Sequence, residues 1–511
     1  MAESRTFLRF ASPNEHRTIS REDAGFYNAV VVGATYEVES QEIDVKRPET
    51  FIAPLKECVL KYPFLSVVVR DKDTDKPGYE AVASIDLPEH VCILPESLEE
   101  DEVRAIEKIL PASFDRPWPA DIPPWRIVVL PLPRTDKTST AVASRCFIAF
   151  SFSHTLGDGN VGLTFHRTFQ AAWTESITSP KSNTSSPSLC LPPRPLPDPF
   201  DTPSRLPVSW KFLLAPLAAE YLPNYLKHIL GLRASTSSID EGTWTGAPMF
   251  FDAARAATAE GCSRVRMLEI EAPLVAAALA ASRAHEAKLT ATLHQIIVCA
   301  LSRALPSEEI TNFVSGTAVD MRASIGVPAG DWGLYVSGHY EVRSRIPLDP
   351  TSDSSEGVEK GQALSEEMWE SARSITRNLA ACGTRLQDQA IGLLRYAPSI
   401  RGWTLGKIGG RRDASYEVSN LLAFNPSPSP AAAAAAAADP VTAAPRVGKG
   451  KCRITKVVFA HPGNALSAPL VFSVVSLKGG SLVIAVSWQV GALGLDKVED
   501  EGGLWRGFVK G

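Results

Sequence analysis

The sequence predicts an α/β (α+β) sandwich, because helical and strand-like segments are mixed in both halves of the chain. Hydrophobic residues make up 44% and charged residues 21%, so most of the 511 residues can bury a core and wholesale disorder is excluded. The length suggests about two to four domains, or one large fold built from two halves.

The first organised stretch runs from Phe51 to Val69. Leu55, Val59 and Leu60 have helical spacing that closes before Pro63, and Phe64 to Val69 reads as a strand. A second helix is expected near Glu100 to Leu110. Trp125 to Leu130, after two prolines, reads as a buried strand, and so does Arg145 to Ser153. The turn-rich His154-Thr-Leu-Gly-Asp158-Gly159-Asn160 follows, and then Val161, Phe165, Phe169 and Ala172 repeat at helical spacing. The unit is strand, tight loop, helix, and Asp158 and Asn160 both suit a helix N-terminus.

Residues 180–207 hold nine of the 39 prolines and read as an extended crossover between the halves. The apolar stretch Trp210 to Leu232, broken by Pro216 and Pro223, reads as a pair of short buried helices. Peripheral contact with a membrane is its other reading, although its few charges form no basic face.

The second half opens with the alternating RVRMLEI from Arg264. Helices are expected over Pro273 to Glu286 and Thr290 to Leu305, then a strand over Asn312 to Val319 leading into Asp320-Met321-Arg322. A polar helix around Gly357 to Leu379, a strand at Tyr416 to Leu422, and strands near 453–460, 469–477 and 481–489 complete the pattern. Eight consecutive alanines flanked by prolines mark 425–450 as a surface insertion without chemistry. The expected division is 1–207, with the crossover, and 208–511, with the insertion.

The net charge of −5 gives no footprint for nucleic acid. No uncharged apolar run reaches the roughly 18 residues of a membrane span. The eight cysteines are scattered with no C-x-x-C pair, which argues against a zinc ribbon, a redox pair or a disulfide framework. The N-terminus lacks an apolar h-region, so an intracellular, cytoplasmic protein is expected.

His154 at the end of a buried strand suits a general base near neutral pH. Asp158 can orient the loop or hold a cation, and the alternative is that both residues merely cap the following helix. His154 with His166, and His285 with His294, lack metal-ligand spacing, so no metal is expected. Gly402 to Lys407 falls one residue short of a phosphate-binding loop, and no G-x-S-x-G occurs.

SFSHTLGDGNVGLTFHRTF resembles the active-site segment of the fungal alcohol acetyltransferases, within the CoA-dependent acyltransferase superfamily. LKECVLKYPFLSVVV, PPWRIVVL, KLTATLHQIIVCALSRAL, AVDMR, YEVSNLLAF and VFSVVSLKGGSLVIAVSWQ resemble further family segments in the expected order. The resemblance covers most of residues 20–490. It implies two chloramphenicol-acetyltransferase-like lobes with a tunnel between them, entered by acetyl-CoA or another acyl-CoA from one mouth and an alcohol or amine acceptor from the other.

His154 is then implied as the base that takes the acceptor's hydroxyl proton in a direct ternary complex. Asp158 is implied to turn away from substrate and pair with Arg322, whose other reading is a surface residue at a strand end. Gly159 would allow close backbone approach. Ser419 and Asn420 are candidates for the oxyanion or substrate, and otherwise satisfy strand-edge hydrogen bonds. Trp488 and Gln489 line the tunnel or belong to the core. Ser153 stands where peptide-synthetase condensation domains carry a second histidine, and the plant branch's D-F-G-W-G is missing. A monomer acting on an alcohol or hydroxylated secondary metabolite is expected. The alternatives are transfer to an amine, or an inactive binding protein of the same fold.

Overall fold

The computed structural model describes residues 5–494 apart from 41, 134–143, 179–185, 215–238, 259, 307–308, 348–363 and 427–451. The 425–450 insertion, most of the Trp210 to Leu232 stretch and the start of the 180–207 crossover therefore lie largely outside the described residues.

Two sheets organise the chain. The first holds five strands in the order Cys452–Ala460, Val30–Val38, Ser144–Phe152, Trp125–Leu132, Val91–Ile93. The second holds six, in the order Ser263–Ile270, Leu482–Gln489, Leu470–Leu477, Tyr416–Phe424, Asn312–Asp320, Val336–Ser344. All nine residues of Val30–Val38 are buried, as expected for a strand covered on both faces. Val32, Ala34 and Tyr36 pack with Phe165, Phe169 and Trp173 of the helix Gly159–Thr178. Val31 packs on the other side with Ile106, Leu110 and Phe114 of the helix Glu102–Asp115.

The edge strand Cys452–Ala460 comes from the far end of the chain. It runs antiparallel to Val30–Val38, from Cys452 opposite Val38 to Ala460 opposite Val31, with an irregularity between Ile454 and Lys456. The sheet of the N-terminal half is thus completed by the C-terminal half. That exchange brings residues around 460 beside the loop at 154–159.

The expected strand at Phe64 to Val69 is shorter. Pro63–Ser66 forms a 3-10 turn with the proline in its first position, and the strand is Val67–Arg70. The polar helix expected near 357–379 is described as Glu366–Thr384, capped by Ser365. His294 is fully buried, held between the Tyr416 hydroxyl at 3.0 Å and the Thr317 hydroxyl at 3.1 Å. The strand Val30–Val38 and the helix Pro13–Asp23 were not anticipated. Ser12 starts that helix with a reciprocal capping box to Glu15, and Pro13 fills the first turn.

An aromatic stack ties the first sheet to the helix after the loop. The rings of Phe150 and Phe165 lie 3.8 Å apart and nearly parallel, and Phe152 stacks on Phe150 at 4.8 Å. Truncating Phe150→Ala should cost about 3–5 kcal/mol. Denaturant unfolding followed by tryptophan fluorescence checks this, and an unchanged midpoint would remove Phe150 from the stabilising core.

Candidate active site

The strand Ser144–Phe152 delivers the chain into a cramped turn. The Ser153 hydroxyl accepts from the Thr155 amide at 3.1 Å and donates to the buried Glu22 carboxylate. His154–Leu156 forms a single 3-10 turn, against which the helix Pro13–Asp23 packs. The His154 Nδ1 lies 2.8 Å from the Gly157 carbonyl oxygen. A carbonyl only accepts, so Nδ1 carries the proton and Nε2 keeps its lone pair.

His154 is partly accessible to solvent. Burial pushes its pKa down to about 4, and the Arg17 charge adds to this. The Gly157 carbonyl and Asp158 oppose the shift without cancelling it. The Tyr27 ring lies 5.5 Å from the imidazole, and the His461 ring lies 6.0 Å beyond Tyr27. His461 is pushed down to about 3 by burial and then by His154.

Gly157 holds the turn at φ 155°, ψ −176°, a region open essentially only to glycine. A Cβ there would fall 2.6 Å from Val161 Cγ2 and 3.2 Å from the Gly333 carbonyl oxygen. At Gly159 a Cβ would fall 2.8 Å from Leu421 Cδ2 and 3.0 Å from the Phe459 ring. Both of those neighbours come from strands of the C-terminal half.

Asp158 turns away from His154 and meets Arg322 in two parallel contacts. Arg322 Nη2 donates to Oδ1 at 2.9 Å, and Nη1 lies 2.9 Å from Oδ2. Each side chain is 1% exposed, so Arg322 is not a surface residue. Asp158 also accepts from the Tyr335 amide at 2.9 Å and the Asn160 amide at 3.1 Å. The second of these is the helix-capping bond, so Asp158 serves both the cap and the ion pair.

Arg322 spends its remaining donors on Asp320 at 3.0 Å and on the Asp331 and Gly333 carbonyls. Burial works against its charge, but Asp158 and Asp320 more than offset this and its pKa is raised. Trp332 adds an indole N–H bond to the Leu156 carbonyl at 2.7 Å.

The remaining candidates separate. Asn420 Nδ2 donates to the Thr290 hydroxyl at 3.0 Å, and its Oδ1 accepts from the Leu422 amide at 2.8 Å. Ser419 is buried, and its hydroxyl has no hydrogen-bond partner among the described residues. Trp488 packs in a C-terminal core cluster with Tyr416 and Phe472, and Gln489 is buried. His166 binds the Tyr36 hydroxyl and the Val32 carbonyl, and His285 stacks on Trp369 at 4.2 Å. No group of three or more His, Cys, Asp or Glu able to hold a metal occurs among the described residues. Tyr27, His461, Gly157 and Gly333 were missed from sequence. Only Gly157 had a local sign, since it lies inside the motif itself.

Comparison with known proteins gives this geometry a class. The chain is 22% identical to the probable alcohol acetyltransferase FCK4 of Fusarium pseudograminearum, with 87% of this chain and 82% of that protein covered. It is 22% identical to the probable alcohol acetyltransferase crmB of Aspergillus fumigatus, with 95% and 96% covered. Among solved structures, the TRI3 trichothecene 15-O-acetyltransferase from Fusarium sporotrichioides aligns with a TM-score of 0.65 at 12% identity, covering 99% of this chain and 94% of that one. The starter condensation domain of rhizomide synthetase RzmA, solved with C8-CoA and Leu-SNAC, aligns at 0.54 and 14% identity, covering 99% and 93%.

Over most of its length the chain is therefore similar to proteins named as probable alcohol acetyltransferases. No protein-family model matches it. The structural likenesses, at such low identity, establish the fold and nothing narrower.

Breaking either partner of the buried pair, as Asp158→Asn or Arg322→Gln, should cost about 3–5 kcal/mol. The double variant should cost less than the sum, because the second change removes a charge already left alone. Chemical unfolding of the four proteins measures the coupling, and strict additivity would show that the pair carries no interaction.

Proposed function

We propose that the protein transfers an acyl group, acetyl first among them, from acyl-CoA to the hydroxyl of a small-molecule acceptor. His154 is the general base. The observation that carries this reading is the locked imidazole: Nδ1–H is held by the Gly157 carbonyl, and the accessible ring keeps a free lone pair at Nε2.

In the proposed step, Nε2 takes the acceptor's hydroxyl proton as the oxygen attacks the thioester carbonyl. A tetrahedral intermediate forms and collapses with cleavage of the C–S bond. The Nε2 proton then passes to the departing thiolate, giving ester and free CoA. No acyl-enzyme is needed if both substrates are held together. Ser419, with an uncommitted hydroxyl, is the better oxyanion donor of the two candidates, since Asn420 is engaged elsewhere.

The proposed lobes divide near 207, with 452–460 belonging physically to the first sheet, and the substrates meet between them. Supporting this, the His154 loop is walled by Leu421, Phe459 and Gly333 from the second half. No helix among the described residues is long and apolar enough to cross a membrane.

Purified protein with acetyl-CoA and a panel of alcohols should release free thiol. His154→Ala should lower that release about 10²–10⁴-fold, and wild-type turnover in this variant would remove His154 from the chemistry. The base works only when neutral. Because its pKa is pushed down to about 4, the acidic limb of kcat/KM should fall near pH 4 rather than near an ordinary histidine value. A limb centred near pH 6.5 would contradict a general base whose pKa is lowered by desolvation and the Arg17 charge.

A further inference from the structure

The helix Pro13–Asp23 presents an electrostatic imbalance beside His154. Each of its acidic residues already has a cation: Glu15 pairs with Arg9 at 2.7 Å, Glu22 with Lys72 at 2.5 Å, and Asp23 with Arg401. Its two arginines, Arg17 and Arg21, have no ion pair within 4.0 Å among the described residues. Arg17 bonds only the Asn14 side-chain oxygen, at 3.3 and 3.1 Å. The Nε of Arg21 is buried without a partner.

The two guanidinium groups stand one turn apart on the same face, where like charges repel and weaken a helix. No ion pair among the described residues offsets that cost, and the Glu417 charge acts on both arginines only at a distance. Both arginines are part-buried, on the helix that packs against the His154 turn. The Arg17 charge is felt by His154, and Tyr27, 5.5 Å from the His154 ring, feels both arginines. Glu417, Tyr340 and the Lys407–Asp413 ion pair at 2.6 Å share the surroundings. Glu417 is within electrostatic reach of Arg17 and Arg21 but touches neither; its carboxylate instead meets Asn464 at 3.3 Å and Ser467 at 3.4 Å. Burial raises the pKa of Glu417, while the Arg21 and Arg17 charges oppose that shift.

We propose that Arg17 and Arg21 hold a carboxylate on the acceptor, so that the enzyme acylates hydroxy acids. This rests on His154 being the acyl-transfer base and names the acceptor class for that site. Guanidinium groups match a carboxylate's two oxygens, and such charge-assisted bonds are the strong ones. The other anion within reach is CoA itself. Its phosphates stand a full pantetheine arm from the thiol, however, and arginines whose charge reaches His154 are too near the thioester to hold them.

The test uses the full chain and a series of ω-hydroxy acids of rising chain length, each paired with its methyl ester. Calorimetry should show at least one acid binding about 10- to 100-fold more tightly than its ester. Arg17→Gln and Arg21→Gln should each reduce that acid-to-ester ratio tenfold or more, while Arg21→Lys should retain part of it. The wild-type comparison alone decides if a variant fails to fold.

Equal binding of every acid and ester would overturn the proposal. So would variants that weaken CoA binding and leave the acid unaffected, which would assign the pair to CoA. Binding is read without turnover. Acid binding lost in Arg17→Gln but with no thiol release from any acceptor would therefore sink the acyltransfer reading and leave the carboxylate site standing.

Discussion

The fold around the candidate site depends on one buried ion pair. Asp158 and Arg322 are joined twice at 2.9 Å and almost wholly removed from solvent. Two charges taken out of water are tolerated only if their remaining hydrogen-bonding capacity is met. Here it is met by backbone: the Tyr335 and Asn160 amides for the carboxylate, and the Asp331 and Gly333 carbonyls for the guanidinium. The pair therefore fixes two stretches of chain at once. The 154–159 loop and the 320–335 segment cannot shift separately without exposing an unpaired charge.

The turn on which His154 sits follows from that anchor. With Asp158 pinned outward, the chain must double back within three residues, which Gly157 permits. Its carbonyl then fixes the imidazole's tautomer. Gly159 leaves room for Leu421 and Phe459 to close over the loop, and the long-range pairing of 452–460 with 30–38 carries Phe459 there. Local backbone chemistry, a buried charge pair and an exchanged strand thus converge on one imidazole.

Much of this was legible in sequence, and the omissions have physical causes. An apolar strand, a glycine-containing loop and a helical repeat announced the His154 unit directly. The helix Pro13–Asp23 escaped because its buried residues include Asn14, Glu15, His16, Thr18, Ser20 and Glu22, held by hydrogen bonds and ion pairs. No apolar stripe marks such a helix. Arg322 was reachable only through the family resemblance, since a strand-end arginine looks the same whether buried or exposed. Tyr27 meets the His154 ring, and His461 meets Tyr27, only through long-range pairings that no local pattern encodes.

The account turns on which nitrogen of His154 carries the proton and how readily the ring takes a second one. Nitrogen NMR of histidine-labelled protein across an acid titration reads both. The account predicts a single neutral tautomer protonated at Nδ1 throughout the neutral range, with the second proton arriving near pH 4. A resonance showing the proton on Nε2, or titration near an unperturbed histidine value, would contradict it.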